Sequence, residues 1–220
     1  MQRNFAYGCI SLGSAALNTL FVTFYLEYFI FVVDVPTAWF YGGQMIFMVW
    51  NAVNDPLFGW ISDTWYSKTP HSMLQQRLHA VLFGGVVWAL SFVIIWHSWG
   101  VGTWAGVHFA LSLCLYDGML TLVEVNQSAL LSDLASTPSE RASMLQWSAI
   151  LGCVGSCTSI AGRLYWSRLE IAPFQTMTMF VAAACAIAFA TSHRLLRTKA
   201  KDPLEAPAGA VSDLRVSGGR

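Results

Sequence analysis

Charge is what this sequence has least of. Only 11% of its 220 residues are Asp, Glu, Lys or Arg, against about 25% in an ordinary soluble domain. What charge there is cancels, with twelve basic and twelve acidic residues, so nothing favours nucleic acid or an acidic partner. Hydrophobic residues make up 55% and aromatic residues 14%, which places the chain among membrane proteins.

Several kinds of chemistry are missing too. No His-Glu pair stands at metal-ligand spacing, no nucleophile has a base at helical spacing, and no phosphate-binding loop is present, so the chain does not read as an enzyme. The cysteines are few, Cys9, Cys114, Cys153, Cys157 and Cys185, and all fall inside apolar runs where a thiol acts as a small hydrophobe. Cys153 and Cys157 are one helical turn apart, but no further ligand completes a metal site around them. The first apolar run is much longer than a signal-peptide core of about 7–15 residues, so no cleavable leader is expected.

What is present is a succession of apolar runs of about 20 residues, the length a helix needs to cross a bilayer. The spacing predicts an all-α membrane protein with six transmembrane helices at about 5–33, 38–61, 78–99, 104–131, 142–165 and 171–191. Together they form one bundle over residues 1–192, followed at 193–220 by a basic and then disordered cytoplasmic tail. Trp96, Trp99 and Trp104 read as an interfacial aromatic belt. The third span has no ionisable residue except His79 and His97 at its ends and is expected to face lipid. Ser148, Gly152 and Ser156, with Gly155 beside them, recur at the interval that lets two helices approach closely, and Ala182, Ala186 and Ala190 do the same in the sixth span.

Basic residues set the expected orientation, since short cytoplasmic loops hold the excess of Lys and Arg. Arg3, Lys68, Arg77, Arg141, Arg194, Arg197, Lys199, Lys201, Arg215 and Arg220 fall on one side, and only Arg163 and Arg168 on the other. Both termini are therefore expected in the cytoplasm.

Against this background the intramembrane carboxylates stand out, because each costs several kcal/mol when unpaired. Asp55 lies six residues before Ile61 and Glu124 seven before Leu131, so each is about 10 Å short of the cytoplasmic boundary. Asp117 is seven residues before Glu124, almost two turns, and is expected on the same face nearer the bilayer middle. No Lys or Arg in the spans neutralises them. They suggest a bound cation, or carboxyl groups held protonated by desolvation and mutual repulsion, or else separate hydrogen bonds that only hold the bundle together. Asn18 and Tyr25 share a face of the first span, which lines a polar cavity or bonds a neighbouring helix, while Glu27 sits near the outer end.

The run Asn51-Ala52-Val53-Asn54-Asp55-Pro56-Leu57-Phe58-Gly59-Trp60-Ile61-Ser62-Asp63 resembles the second-helix signature of the glycoside-pentoside-hexuronide:cation symporters, a branch of the major facilitator superfamily. Tyr7-Gly8, Ala129-Leu130-Leu131-Ser132-Asp133-Leu134 and Glu140-Arg141 extend the likeness. Through Leu113-Cys114-Leu115-Tyr116-Asp117-Gly118-Met119-Leu120-Thr121-Leu122-Val123-Glu124 the chain also resembles the vertebrate major facilitator superfamily domain-containing 13 group (the transmembrane protein 180 proteins), up to about residue 200.

The resemblance implies the amino-terminal half of a twelve-helix carrier, with helices one, two, four and five around the path and helices three and six toward lipid. Asp55 matches the second cation-coordinating aspartate of the symporters and Glu124 their fourth-helix aspartate, while Asn51 replaces the first second-helix aspartate. Ala15 stands near the sugar-recognition aspartate and Trp147 near a fifth-helix arginine. Asp63, four residues after Gly59, matches the start of the superfamily's loop signature, and Asp63 and Arg141 are the implied loop or gating residues. By its charge Asp63 also suits a helix cap or a pair with Lys68 or Arg77.

The expected function is a secondary-transporter half, its solute unnamed and its coupling ion Na⁺ or H⁺. Asp55, Glu124, Asp117, Asn51 and Asn18 are the candidate binding residues. Beyond the lipid bilayer, the expected partner is a carboxyl-terminal half or a second copy. The alternative is a non-transporting multi-pass protein whose carboxylates serve packing or partner binding.

Overall fold

The computed structural model describes residues 1–66 and 73–201, except for the side chains of 62, 63, 65, 66 and 198–201. The loop containing Lys68 and the tail from 202 onward lie outside the described residues. All regular structure among the described residues is helical.

Helix α1 (Gln2–Glu27) runs directly into a π-helical turn at Tyr28–Val32. The chain turns at Asp34, whose φ of 54° is left-handed, a conformation Asp adopts more readily than most residues. Pro36 then leads into α2 (Thr37–Tyr66), which carries Pro56 in its interior. That proline cannot donate to the carbonyl four residues back, a defect spanning helices tolerate where neighbouring polar groups are at hand. Helix α3 (Met73–Ile95) is joined to α4 (Thr103–Leu134) by a turn with Gly100 at φ 140° and Gly102 at φ 59°, values that strain any other residue.

Thr137 caps α5 (Pro138–Ser156): its hydroxyl accepts from the Glu140 N–H at 3.2 Å, and Glu140 reaches back to the Ser136 N–H at 2.9 Å. This is a capping-box arrangement displaced by one residue. A break at Cys157 separates α5 from the short α6 (Thr158–Tyr165), and α7 (Ala172–Lys201) is the last described helix.

Among the described residues, five helical stretches are long and apolar enough to cross a membrane: Gln2–Val32, Met73–Ile95, Thr103–Leu134, Pro138–Tyr165 and Ala172–Arg197. Helix α2 has the length, at 30 residues, but Gln44, Asn51, Asn54 and Asp55 dilute its apolar character. The polar residues that make α2 a candidate site also lower its mean hydropathy.

The helices pack side by side in the spatial order α5, α1, α7, α3, α4, α2, with a lighter contact between α1 and α4. Helix α3 is thus held between α4 and α7. Its Leu78, Val81, Trp88 and Phe92 are buried and only a face with Phe83, Leu90 and Ile94 is open. The expectation of a lipid-facing third span therefore holds for one face alone. The core is aromatic: Phe21 stacks on Tyr116 with centroids 3.7 Å apart, and Trp96 meets Tyr28 at 5.2 Å and Phe174 at 5.0 Å. Trp96 is fully buried, so the expected interfacial belt reduces to Trp99 and Trp104, both exposed.

The α1–α5 seam is built from small and hydroxylic residues. Ser11 and Ser148 hydroxyls meet at 2.5 Å, Asn4 donates to Ser143 at 2.7 Å, and Thr19 donates to Ser156 at 3.3 Å. In the sixth span the tight contact comes from Phe189, whose ring lies over Gly13 of α1 and Gly85 of α3.

Each end of the bundle is tied electrostatically. At the end holding residue 1, Arg77 pairs with Asp133 at 2.6 Å and Arg3 with Glu140 at 3.0 Å. Asp133 is thus a partner of Arg77; the Asp63 side chain, offered as a helix cap or as a partner of Lys68 or Arg77, lies outside the described residues. At the other end Glu27 accepts from the Trp166 indole at 2.8 Å and lies 3.7 Å from both Arg163 and Arg168. Glu27→Gln should therefore lower thermal stability by no more than about 1 kcal/mol, as half-exposed pairs do. Raising salt should shrink the difference from wild type; a loss several times larger and salt-independent would contradict the assignment.

Candidate functional site

The polar side chains of α1, α2, α4 and α5 converge on two adjoining cavities. The first, about 410 Å³, is lined by Asp55 of α2 and by Thr121, Glu124, Val125 and Ser128 of α4. The second, about 210 Å³, is lined by Ser11, Ser14, Ala15 and Asn18 of α1, Glu124 and Gln127 of α4, and Gly152 of α5. Glu124 belongs to both. Among the described residues no Lys or Arg lines either one.

Helical spacing explains the set. Thr121, Glu124 and Ser128 are three and four residues apart on α4, and Ser11, Ser14 and Asn18 repeat that interval on α1, so each triplet shares a face. The Thr121 hydroxyl donates to Asp55 at 3.1 Å, fixing one carboxylate oxygen across the α2–α4 contact. Gln127 donates to Ser11 at 2.6 Å, and Tyr7 donates to the Gln127 carbonyl at 3.2 Å. Tyr116 donates to the Asn18 side-chain oxygen. These bonds hold α1 and α4 in register where they meet.

The three carboxylates are not placed alike. Asp117 is buried and accepts from Asn54, itself fully buried, so it lies inside the α2–α4 contact and lines neither cavity. Seven residues bring Asp117 and Glu124 to nearly the same helix face, but Asn54 of α2 covers the first and leaves the second open. Among the described residues no group of three or more His, Cys, Asp or Glu side chains is placed to hold a metal ion. A cation at Asp55 and Glu124 would take its remaining oxygens from Thr121, Ser128 or water.

Asn51 is exposed one turn before Asp55 and lines neither cavity. Arg141 is also exposed, its guanidinium donating to Ser132 at 3.4 Å. Trp147 packs edge-on against Phe5 at 6.0 Å and stays outside the cavities. Ala15, by contrast, does line the smaller one. Tyr25 stacks on Phe21 at 5.0 Å, part of the aromatic core and not of the cavity wall.

A family profile described as MFS/sugar transport protein matches residues 6–212, nearly the whole chain. The chain belongs to that family. Among curated relatives it is 32% identical to transmembrane protein 180 of Mus musculus over 200 residues, covering 87% of this chain and 38% of the relative. It is 30% identical to transmembrane protein 180 of Gallus gallus over 201 residues, covering 88% and 39% respectively. A sodium-dependent lysophosphatidylcholine symporter of Gallus gallus is 25% identical over 186 residues, covering 80% of this chain and 34% of that protein. The chain thus spans roughly two fifths of the length of the relatives it matches.

Within this family's chain the structure adds residues that the carboxylates alone did not announce. Thr121, Ser128, Ser11 and Gln127 are polar groups whose helical spacing from Glu124 and Asn18 was available in the sequence. Asn54 was conspicuous beside Asp55, but its partner on another helix was not. His108 gave no signal at all: it is fully buried on α4, its ring stacked on Trp99 at 4.5 Å and edge-on to Phe29 at 4.9 Å.

Proposed function

We propose that the chain is a half-bundle of a secondary transporter, with α2 as the sixth spanning helix and both termini in the cytoplasm. In this reading Asp55 and Glu124 bind a coupling cation, Na⁺ or H⁺, and the neighbouring Asn18, Ser11 and Gln127 face the solute. The observation that carries it is a pair of carboxylates lining adjoining cavities with no Lys or Arg among the described lining residues, in a family described as transport proteins. Hydroxyl and carboxylate oxygens are the ligands a hard cation takes. An uncompensated carboxylate at membrane depth otherwise costs about 2.5–3.5 kcal/mol.

Alternating access in secondary carriers needs two repeats moving about a central site. The exposed apolar faces of α2 and α5, which carry Met45, Val49, Val53, Ile150 and Val154, suit a second six-helix half, either another chain or a second copy. Asn51, Asp63 and Arg141 would act at the mouth of the path and not at the cation. Asp117 fits a structural part of the same design, because it is occupied by Asn54.

Reconstitution into proteoliposomes tests the transport reading, alone and together with the carboxyl-terminal half of transmembrane protein 180. Radioactive Na⁺ and a pH-sensitive dye report the flux. Gradient-driven uptake of one of the two cations is expected in the paired sample, falling at least about tenfold in Asp55→Asn and in Glu124→Gln, a loss of about 1.4 kcal/mol or more. Uptake that both substitutions leave unchanged rules the site out.

A further inference from the structure

Outside the cavities, two metal-ligating side chains from different helices meet at the end of the bundle that holds residue 1. His79 is exposed on the first turns of α3, and His193 is half-buried near the end of α7. Their ring centroids are 4.9 Å apart with planes inclined by 46°. The Nε2 atom of His193 is buried and has no hydrogen-bond partner. A buried imidazole nitrogen left unpaired costs free energy, and such an atom calls for an occupant.

The ring separation admits one metal ion shared between the two imidazoles. Two imidazoles holding one ion at about 2.0–2.1 Å, with ligand angles of about 90–110°, have centroids roughly 4.5–5.2 Å apart. The helices bearing them pack along each other, so the two ligands are presented by rigid elements and not by loops. The donor set selects the ion: imidazole nitrogen without a carboxylate suits Zn²⁺, Cu²⁺ or Ni²⁺ and not Mg²⁺ or Ca²⁺, which require oxygen. The nearby charge is positive, since Arg197 lies one turn beyond His193. Binding there must rest on donor strength, not on attraction for a dication.

We propose that His79 and His193 form a two-imidazole site for a divalent transition metal, Zn²⁺ being the physiological candidate, with water completing the shell. An ion bound there bridges α3 to α7 and fixes the joint between those helices. The site is separate from the Asp55–Glu124 cavities and does not depend on their function.

The full-length chain, purified in detergent and stripped with a chelator, is titrated with Zn²⁺ against a chromophoric indicator, with Mg²⁺ as the control ion. One Zn²⁺ per chain and a rise in unfolding temperature are expected, with no response to Mg²⁺. His79→Ala and His193→Ala should each weaken binding at least about tenfold, as loss of even an outer-shell partner does, and abolish the thermal shift. His97→Ala should change neither. Mapping histidine modification by diethyl pyrocarbonate on the wild-type chain gives a second readout independent of the variants: Zn²⁺ should protect both His79 and His193. Absence of Zn²⁺ binding, binding that survives in both His variants, loss of binding only in Cys153→Ser/Cys157→Ser, or failure to protect the two rings overturns the proposal.

Discussion

Gly155→Ala is expected to destabilise the bundle by about 1–3 kcal/mol, the usual cost of forcing a methyl group into a closed contact. A Cβ at Gly155 would stand 2.4 Å from the Leu12 carbonyl oxygen, 3.1 Å from the Ala16 nitrogen and 3.2 Å from the Leu12 carbonyl carbon. All three are backbone atoms of α1, so no side chain can swing aside and the two helices must separate. Separation stretches the hydroxyl ladder of Ser11 with Ser148 and Thr19 with Ser156, and the bond from Thr158 to the Ala16 carbonyl at 3.3 Å.

Gly152, three residues earlier in the same helix, is the control. A Cβ there meets nothing nearer than 3.9 Å. Gly152→Ala should be neutral or stabilising by up to about 1 kcal/mol, because alanine is the better helix former. Thermal unfolding of the two variants in detergent gives the comparison. Equal effects would show that α1 and α5 do not pack as closely as described.

Asn54→Leu is expected to cost about 3 kcal/mol, in the range for removing one partner of a buried polar pair. Asn54 and Asp117 are both buried in the α2–α4 contact and bonded to each other. Leucine leaves the carboxyl group enclosed without a donor. Asp117→Asn keeps an amide oxygen in the same place to accept from Asn54, so its loss should be about 1 kcal/mol or less. Unfolding temperatures in the order wild type, Asp117→Asn, Asn54→Leu are the expected result. If Asp117→Asn were the more damaging of the two, the charge of Asp117 would be needed for more than this bond.

The pairing of Asn54 with Asp117 also shows where the sequence stops being informative. Composition and apolar run length reveal a helical membrane protein, because a bilayer accepts few other structures and imposes a minimum helix length. The small-residue interval around Gly155 reveals a close helix contact for a similarly local reason: spacing decides which residues share a face. Which helix meets that face is not local. Nothing in the neighbourhood of Asp117 says that Asn54 will cover it, and equal spacing alone does not distinguish its burial from the openness of Glu124. The same gap separates Trp96 from Trp99 and Trp104. All three stand at one end of a span, yet Tyr28 and Phe174 close around the first while the others stay exposed. Helix α2 gives the converse lesson: Asn51, Asn54 and Asp55 make it conspicuous as a site and inconspicuous as a span.

Glu124 is the residue on which the functional reading turns, since it is shared by the two cavities. Its position opposite Asp55 could serve a cation or only the packing of α1, α2 and α4. These alternatives differ in one observable. A cation that binds the folded chain raises its stability with the logarithm of its concentration, whereas packing alone gives no response to Na⁺ at fixed ionic strength, and any pH response it gives reflects only titration of the carboxyl groups themselves.

The most direct measurement is the unfolding temperature of the purified chain, taken across Na⁺ concentrations at fixed ionic strength and across pH. Asp55→Asn, Glu124→Gln and the double variant are measured alongside wild type. The account predicts that wild-type stability depends on Na⁺ or on pH, that each single substitution weakens this dependence, and that the double variant loses the Na⁺ response and the part of the pH response that belongs to these two groups. An unfolding temperature that responds to Na⁺ and pH identically in wild type and the double variant, or to neither in wild type, would contradict it.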